Sequence, residues 1–474
     1  MSAAKYVLLP FEFKRHSDGR VLVVNECGDS CYLSNRDFDC LTAKDFASIP
    51  EDVLHSLESR HMISNEEQLD MALELLANKY RSRREYLKEA TSLHMMVVTL
   101  RCNHRCEYCQ VSSEADDAHK FDMQPNVAEK IVDLIFQTPS PVVKIEFQGG
   151  DALLNWDAVM AAVRHAEELN KVYGKTLEFV ACTNLFALTK RHVADMKVHN
   201  IKISTSLDGP CWMHDKHRIL RSGGSSYSVF VEKLKMARKA LGYDCANALM
   251  TATQDSIRNV REIIDEYISL GFEGVFFRAL NPYGDATNSE MFYSAKDFFD
   301  MYKEGLEYII DLNKRGRRFV EYYTALLLRR ILTPYPTHFV DLQSPSGAGV
   351  SGVIYDFNGD VYPADEARML ARMGDTRFRL GNVFENSYKE IFLSDVLKGI
   401  IRDSCVETIP GCATCAYRVY CGVDVFRNYL ETGDIANVRT DGFFCQKHTM
   451  IFDYLLHKIQ DVDFLKVVGP WMEL

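Results

Sequence analysis

The segment His94-Met-Met-Val-Val-Thr-Leu100-Arg-Cys102-Asn-His-Arg-Cys106-Glu-Tyr108-Cys109 joins an apolar run to three closely spaced cysteines. The apolar run has the length and composition of a buried strand, so the cysteines fall on the loop directly after it. Three thiolates in a CxxxCxxC spacing can hold three irons of a four-iron cluster and leave the fourth iron open. A zinc loop is the alternative, because His104 lies between the cysteines, although zinc sites more often use CxxC pairs or added histidines.

The alternation of strand and helix around this segment predicts the fold class. Between residues 94 and 280, short apolar runs alternate with segments of helical periodicity. This order predicts an α/β protein with a parallel sheet, here a partial (β/α)6 barrel of the TIM type. In such barrels the working groups lie on loops at the carboxyl ends of the strands, where the cysteine loop also falls. The predicted strands are Met95 to Leu100, Val142 to Phe147, Leu177 to Cys182, Ile201 to Ser206, Ala246 to Ala252 and Val275 to Leu280.

Two further regions flank the predicted barrel, which spans residues 91–295. Residues 1–90 contain three predicted strands and three predicted helices, a composition that suits a small winged-helix-like domain. Its first strand is placed at Tyr6 to Phe13 and its last helix at Asn65 to Ala90. Residues 296–337 are predicted to be a helical bridge and residues 338–474 a third domain. In the third domain, Asn358-Gly359 predicts the turn of a hairpin.

Composition and charge exclude several classes of protein. The chain has 474 residues, of which 47% are hydrophobic and 26% charged, as in a globular protein of two or three domains. Its net charge of −11 offers no general attraction to nucleic acid or to an anionic membrane. The amino terminus lacks a signal-peptide core, and no apolar run approaches membrane-spanning length. We therefore expect the fourteen cysteines to face a reducing cytoplasm, where their thiols are available for metal.

A second group of cysteines lies near the carboxyl end of the chain. Cys412-Ala-Thr-Cys415-Ala-Tyr-Arg-Val-Tyr-Cys421, with Cys445 downstream, supplies four thiolates. Four thiolates without an open position describe a closed site, either an iron-sulfur cluster or structural zinc. Cys405 is close in sequence and is interpreted as a free buried thiol, with a spare cluster ligand as the alternative. We refer below to Cys412, Cys415, Cys421 and Cys445 as the C-terminal cysteines, and to Cys102, Cys106 and Cys109 as the cysteine triplet.

The cysteine triplet and the loops after the next strands resemble those of the radical S-adenosylmethionine (SAM) enzymes. Gln148-Gly149-Gly150-Asp151 occupies the position of their Gly-Gly-Glu loop, although Asp-Ala replaces the usual Glu-Pro. Ser206-Leu-Asp208-Gly209-Pro210 and His214-Asp215-Lys-His-Arg218 resemble the SxDGP and HDxxR signature of members that modify peptides and sulfatases. The resemblance implies a four-iron cluster on the triplet that chelates SAM. The residues expected to contact SAM are Tyr108, Gly149, Gly150, Asp151, Asn184, Ser206, Arg218 and Leu280.

The resemblance also implies which part of SAM each of these residues contacts. The glycines let the backbone approach SAM closely, and Asp151 accepts hydrogen bonds from its ammonium group. Tyr108 packs on the adenine, and Leu280 lies at the same end. Ser206 and Arg218 contact the carboxylate, to which an arginine offers a planar fork.

The C-terminal cysteines have the spacing of the SPASM domain, which holds auxiliary clusters in peptide and sulfatase maturases. Val425 and Ala364 stand where the family pattern has two further cysteines, so we expect one auxiliary four-iron cluster, on the C-terminal cysteines. In sulfatase maturases an aspartate at the position of Asp365 acts as general base, and Glu366 is the substitute candidate. A carbon radical formed by hydrogen abstraction must still lose a proton and an electron, so a carboxylate near the substrate suits this chemistry.

Three further segments make the His-Xaa-Ser system maturase B family the nearest resemblance over almost the whole chain. They are residues 339–349, Asn281-Pro-Tyr-Gly284 and Tyr362-Pro-Ala-Asp-Glu-Ala-Arg368. The implied enzyme uses SAM and two four-iron clusters. A 5′-deoxyadenosyl radical abstracts hydrogen from a ribosomally made peptide, and a carbon-based side-chain crosslink follows while electrons leave through the auxiliary cluster. Side-chain oxidation or epimerisation is the alternative outcome, the latter with Cys182, Cys211 or Cys245 returning a hydrogen atom.

The partners expected from this resemblance are a precursor peptide and a protein electron donor such as flavodoxin or ferredoxin. The winged-helix-like domain either captures a leader peptide as an added strand or serves as a structural cap on the barrel. Whether a second maturase is needed stays open. A peptide-binding scaffold stabilised by zinc is the non-enzymatic alternative.

Overall fold

The computed structural model describes residues 5–288, 291–436 and 442–473, and its largest sheet has nine strands. Six of them run parallel, each beside the next in chain order, and form a partial barrel. This arrangement confirms the predicted α/β fold. The six barrel strands are Leu93–Thr99, Val142–Gly149, Thr176–Cys182, Ile201–Ser206, Ala246–Thr251 and Phe277–Arg278.

The sixth strand differs from its prediction, which placed one continuous strand from Val275 to Leu280. The structure divides this stretch in two. Gly274–Val275 pairs with Val320–Glu321, whereas Phe277–Arg278 pairs with the end of the fifth barrel strand. The two halves have different neighbours, so the chain changes partner at Phe276, whose ring packs on that of Tyr323 with the ring centroids 5.2 Å apart.

Helices carry the chain from each barrel strand to the next and bury one apolar face against the sheet. In the longest of them, Trp156–Tyr173, the buried residues Val159, Ala162, Val163 and Ala166 recur at helical spacing. Pro125 opens the first of these helices, where its fixed φ suits a helix start. The helices of the barrel are Pro125–Ile135, Trp156–Tyr173, Lys190–Val198, Cys211–His217, Ser226–Leu241, Gln254–Arg258 and Val260–Ser269.

The N-terminal region contains two small antiparallel sheets. Its strands are Tyr6–Leu8 with Ile63–Asn65, and Phe11–Arg15 with Arg20–Asn25 and Ser30–Ser34. Its helices are Asn35–Thr42, Glu51–Ser59 and Leu69–Arg83.

Two predictions for this region were wrong in their bounds. The strand predicted from Tyr6 to Phe13 is interrupted at Pro10, which has no N–H to give to a ladder. The helix predicted to start at Asn65 starts at Leu69, because Asn65 pairs with Tyr6 in a strand.

The C-terminal region continues the barrel sheet. Its predicted hairpin is present, with strands Gly352–Tyr355 and Asp360–Tyr362 joined through Gly359 at a φ of 87°. Gly352–Tyr355 also runs parallel to the first barrel strand, so the hairpin extends the same sheet. The remaining strand is Gly381–Asn382, and the helices from residue 295 onward are Ala295–Lys314, Tyr322–Leu332, Asp365–Arg372, Tyr388–Phe392, Asp395–Asp403, Val425–Thr432, Phe443–Lys458 and Val462–Val468.

Among the described residues, no helix combines the length and the apolar character that crossing a membrane requires.

The N-terminal region packs against the segment that carries three of the C-terminal cysteines. The Tyr420 hydroxyl donates to the carbonyl of Gly28 over 2.7 Å, and Arg418 forms ion pairs with Glu12 and Glu26. The division of the chain into four domains at the predicted boundaries remains a prediction.

Candidate active site

A cavity of about 340 Å³ lies at the carboxyl ends of the barrel strands, and we call it the first cavity. Cavities of this size are large enough for a cofactor-sized ligand. The fold therefore gathers into one wall residues that lie far apart in the chain. The predicted site residues that line it are Cys102, Cys106, Tyr108, Cys109, Gly149, Gly150, Asn184, Ser206, Arg218 and Asp365.

The loop of the cysteine triplet is held by the segment that contains Arg218. His104–Cys106 is a short strand and pairs antiparallel with Arg218–Leu220, so that Arg218 lies opposite Cys106. One residue beyond this pairing, Arg221 Nε donates to the carbonyl of Cys102 over 3.1 Å. The HDxxR segment thus supports the backbone of the cysteine loop, a role that local sequence patterns did not predict.

Arg218 is buried in a two-bond ion pair with Asp208. Its Nε and a terminal nitrogen donate to the two carboxylate oxygens over 3.0 and 3.1 Å, and the Tyr108 hydroxyl donates to the same carboxylate. Burial acts to raise the pKa of Asp208, but the charge and hydrogen bonds of Arg218 outweigh it, and the pKa is lowered overall. The guanidinium lies 5.4 Å from the centre of the Tyr108 ring. Asp208 therefore orients both predicted cofactor contacts.

We expect Asp208→Asn to lower the free energy of unfolding by about 3–5 kcal/mol, because Arg218 would stay buried without a matching charge. Urea unfolding at pH 7, followed by circular dichroism, measures the change. Glu304→Gln is the matched control, because it breaks an ion pair with Arg261 whose side chains are 61% and 50% exposed. Exposed pairs contribute about 1 kcal/mol or less. Equal losses in the two variants would contradict this role of Asp208.

Gly149 and Gly150 allow the ends of the first two barrel strands to approach each other. A Cβ atom would lie 2.0 Å from the Thr99 carbonyl oxygen at Gly149, and 2.2 Å from the Arg101 carbonyl oxygen at Gly150. Gly149 also has a φ of 149°, which disfavours other residues. Both positions thus require glycine for backbone packing beside the first cavity.

Asp151 is buried and lies outside the wall of the first cavity. Its carboxylate accepts hydrogen bonds from the Thr183 hydroxyl and the Asn184 N–H, each over 2.9 Å, and from the Leu153 N–H over 3.0 Å. Burial raises its pKa to about 6. In the structure, this carboxylate joins the loops after the second and third barrel strands, and its contact with SAM remains a prediction.

The two candidate bases are adjacent in sequence but line different cavities. Asp365 lines the first cavity and accepts a hydrogen bond from Arg368 Nε over 2.9 Å. Glu366 lines a second cavity of about 280 Å³ together with Asp341 and Asp424. Burial and these neighbouring carboxylates raise the pKa of Glu366 to about 8. Among the two, Asp365 is the carboxylate placed beside the cysteine triplet.

Leu280 is buried behind Tyr108 and does not line the first cavity. Its N–H donates to the Tyr293 hydroxyl over 2.8 Å. Leu280 packs in the same buried cluster as Tyr108, so its influence on the predicted adenine position is indirect.

Sequence reasoning did not assign His104 a place in the cofactor site. This residue is 3% exposed, lines the first cavity, and has no hydrogen-bond partner at either ring nitrogen. Buried polar atoms are normally paired, so the cavity wall retains hydrogen-bonding capacity for a polar ligand. Together with three thiols and an arginine, this wall fits a cluster and an amino-acid-like cofactor.

The C-terminal cysteines also come together. Burial raises the pKa of Cys421, and so do Cys415, Cys445 and Cys412, which are close enough to act on it electrostatically. Cys405 is separate, because its thiol donates to the Ile401 carbonyl and its charged neighbours are Glu407, Arg84 and Asp403. Within the described ranges, no three His, Cys, Asp or Glu groups are arranged to hold a single metal ion.

The comparison with protein families agrees with this geometry. The model of the Radical SAM superfamily matches residues 96–267, which contain the cysteine triplet, the first five barrel strands from residue 96 onward, and most of the crossover to the sixth strand. Residues 96–267 form a radical SAM domain. The cofactors of this domain are SAM and a four-iron cluster. That the cysteine triplet supplies the thiolates of this cluster remains a prediction.

The similarity to named proteins extends beyond residues 96–267. The chain is 23% identical over 381 residues to a cysteine-type anaerobic sulfatase-maturating enzyme of Clostridium novyi (strain NT), covering 78% of this chain and 96% of that one. Among solved structures, anSMEcpe with bound AdoMet has a TM-score of 0.66 at 19% identity, over 80% of this chain and 98% of that chain. Streptococcus suis SuiB bound to its precursor peptide SuiA has a TM-score of 0.56 at 12% identity, over 92% and 98%. Both structures share the fold of this chain.

Proposed function

We propose that the protein is a radical SAM enzyme that modifies a ribosomally made precursor peptide, with a carbon-based side-chain crosslink in a His-Xaa-Ser type peptide as the product. The observation that carries this proposal is that Asp365, from the C-terminal region, lines the same cavity as the cysteine triplet. A carboxylate beside the radical-generating site suits a reaction in which the substrate loses a proton after hydrogen abstraction. The likeness to a sulfatase-maturating enzyme and to SuiB, which was solved with a bound precursor peptide, supports a peptide substrate.

In this proposal, radical formation, proton removal and electron transfer are assigned to different groups. When bound, SAM and the cluster supply a 5′-deoxyadenosyl radical that abstracts hydrogen from an unactivated carbon. Asp365 takes the proton that the substrate releases, and Arg368 Nε holds its carboxylate at the cavity wall. The C-terminal cysteines would hold an auxiliary four-iron cluster.

The N-terminal region supplies a surface suited to leader-peptide capture. In its three-stranded sheet, Arg20–Asn25 is central, and Phe11–Arg15 and Ser30–Ser34 form the two edges. An extended peptide can add to such an edge through main-chain hydrogen bonds. A protein electron donor such as flavodoxin or ferredoxin would supply the reducing electron, and the need for a second maturase is a separate question.

Epimerisation is the second candidate, and Cys182 is the observation that favours it. This cysteine lines the first cavity, where its thiol could return a hydrogen atom to a peptide radical. Of the other two predicted donors, Cys211 is exposed and neither Cys211 nor Cys245 lines the cavity.

The first experiment is purification without oxygen, reconstitution, and measurement of iron, sulfide and 5′-deoxyadenosine after addition of SAM and a strong reductant. About eight irons per chain together with 5′-deoxyadenosine would support a radical enzyme with two clusters. Zinc without cleavage would leave only the peptide-binding scaffold.

Mass spectrometry of the encoded peptide then separates the reaction outcomes. A crosslink removes two hydrogen atoms, blocks fragmentation between the joined residues, and does not react with a hydrazine. Side-chain oxidation to a carbonyl removes the same mass but is trapped by the hydrazine. Epimerisation leaves the mass unchanged in water and incorporates one deuterium in heavy water.

A further inference from the structure

The second cavity combines aromatic walls with charged groups. Its volume of about 280 Å³ is at the lower end of the range for small-ligand sites, so it suits one large side chain better than a second cofactor. Aromatic rings pack well against another ring through offset or edge contacts. The walls therefore favour a planar, aromatic occupant. The rings that line the cavity belong to Phe276, Phe277, Tyr323, Phe339, Phe443 and Phe444.

The second cavity adjoins the first cavity. Leu249 and Arg278 line both of them. These two residues lie on the fifth and sixth barrel strands, which pair with each other in parallel. Asp365 and Glu366 line one cavity each and are adjacent in the chain. A peptide whose reacting residue enters the first cavity can therefore place a neighbouring side chain in the second.

Three charged side chains of the second cavity have no bonded partner. In the described part of the chain, the side chains of Arg278, Asp341 and Lys447 make no hydrogen bond and no ion pair. The Lys447 ammonium instead lies 5.6 Å from the centre of the Tyr323 ring. A carboxylate accepts hydrogen bonds, and an ammonium or guanidinium donates them. The cavity wall thus offers one acceptor and two donors that water or a ligand can use.

The other titratable groups that line this cavity are engaged or mostly uncharged. Asp424 accepts the Arg427 N–H over 3.2 Å, and Arg427 Nε donates to Glu431 over 2.8 Å. Burial lowers the pKa of His448, so its ring is neutral. Glu366, with its pKa raised to about 8, is mostly protonated at pH 7. The charged groups left for a ligand are therefore the three named above.

These three groups select the kind of ring that fits. A ring that enters the cavity displaces water from them, and it loses affinity unless it replaces the hydrogen bonds of that water. A phenyl ring neither donates nor accepts, and an indole only donates. A neutral imidazole does both through its two nitrogens, and a phenol does both through its hydroxyl.

We propose that the second cavity is a peptide subsite for an aromatic side chain that both donates and accepts hydrogen bonds. Its occupant is a histidine or a tyrosine close in sequence to the residue that reacts in the first cavity. The ring packs against the aromatic walls, donates to Asp341, and accepts from Arg278 or Lys447. The inference rests on the proposed function, because its ligand is part of the modified peptide, and it adds a second recognised residue to that peptide.

The test is equilibrium dialysis of four blocked tripeptides, acetyl-Gly-Xaa-Gly-amide, against the reconstituted full-length protein. Xaa is histidine, tyrosine, tryptophan or phenylalanine, and SAM is present without reductant so that it occupies the first cavity. At about pH 7.5 the histidine ring is mostly neutral. We expect the histidine or the tyrosine peptide to bind at least about tenfold more tightly than the phenylalanine peptide, with tryptophan between them. Which of the two binds more tightly identifies imidazole or phenol as the ligand.

Variants of Asp341 assign this preference to the second cavity. Asp341→Leu removes the acceptor at similar size, so the advantage over the phenylalanine peptide should fall below about twofold. Asp341→Asn keeps an acceptor oxygen without the charge and should lose about threefold of it. Asp395→Leu is the matched control, because Asp395 is exposed, pairs with Lys398 over 3.4 Å and lines neither cavity. Its four affinities should equal those of the unmodified protein.

Equal affinities for the four peptides, or no binding of any of them, would overturn the inference. So would an unchanged preference in Asp341→Leu, whose folding is checked by circular dichroism and iron content. Where Asp341→Leu does not fold, Asp341→Asn decides, and an unchanged preference in that variant overturns the inference. The proposed function fails on different evidence: no 5′-deoxyadenosine, or no mass or deuterium change in the encoded precursor, whichever tripeptides bind.

Discussion

Replacing Cys102, Cys106 and Cys109 together with alanine is expected to abolish SAM cleavage while the auxiliary iron remains. The three thiols line the first cavity, and Cys182 is the one other cysteine among the described residues that line it. Without them no cluster can deliver an electron to SAM, so 5′-deoxyadenosine formation should fall to the level of a reaction without enzyme. Iron should fall from about eight to about four per chain, because the C-terminal cysteines form a separate group.

Cys405→Ala is the control for this experiment. Its thiol donates to the Ile401 carbonyl and lies apart from both cysteine groups, so iron content and cleavage should be unchanged. Cleavage that persists in the triple variant would place the reactive cluster elsewhere. Loss of all iron would mean that the two cysteine groups do not assemble independently.

Asp365→Asn is expected to separate SAM cleavage from peptide modification. The asparagine can occupy the same place on the cavity wall but cannot accept a proton from the substrate, so product formation should fall about 10²- to 10⁴-fold. Production of 5′-deoxyadenosine should continue, because the cysteine triplet and the Asp208–Arg218 pair are unchanged. Quantifying modified peptide and 5′-deoxyadenosine in the same reaction measures this uncoupling and also reports whether the variant folds.

Glu366→Gln is the matched control, since Glu366 is the next residue and lines the second cavity. We expect product formation to change far less than in Asp365→Asn. A large loss in Glu366→Gln with a small loss in Asp365→Asn would exchange the roles of the two carboxylates. Equal and complete loss of 5′-deoxyadenosine in both variants would show that the helix Asp365–Arg372 is needed for assembly of the site.

Local sequence patterns predicted the barrel well. The first five barrel strands lie within a few residues of their predicted positions, because apolar runs and helical periodicity are local properties. The errors in the strand bounds arose where a strand pairs with a segment that is distant in the chain. Phe277–Arg278 pairs with the fifth barrel strand while Gly274–Val275 pairs with Val320–Glu321, and no local signal marks the change.

The roles of charged site residues depended more on tertiary structure. The motif spacing identified Asp151 and Arg218 as site residues but not their partners. Asp151 accepts hydrogen bonds from Thr183, Asn184 and Leu153, and Arg218 binds Asp208. These bonds join loops that follow different strands, so they exist only once the parallel sheet has brought its carboxyl ends together.

The sequence by itself determined the α/β class, the order of the barrel strands and the membership of the two cysteine groups. Each of these depends only on the spacing of residues that are close together in the chain. Only the tertiary structure decided which of two adjacent carboxylates lies beside the cysteine triplet. Successive residues of a helix point about 100° apart, since a turn holds about 3.6 residues. Asp365 and Glu366 therefore line different cavities, and the packing of their helix against the barrel sets which one faces the triplet.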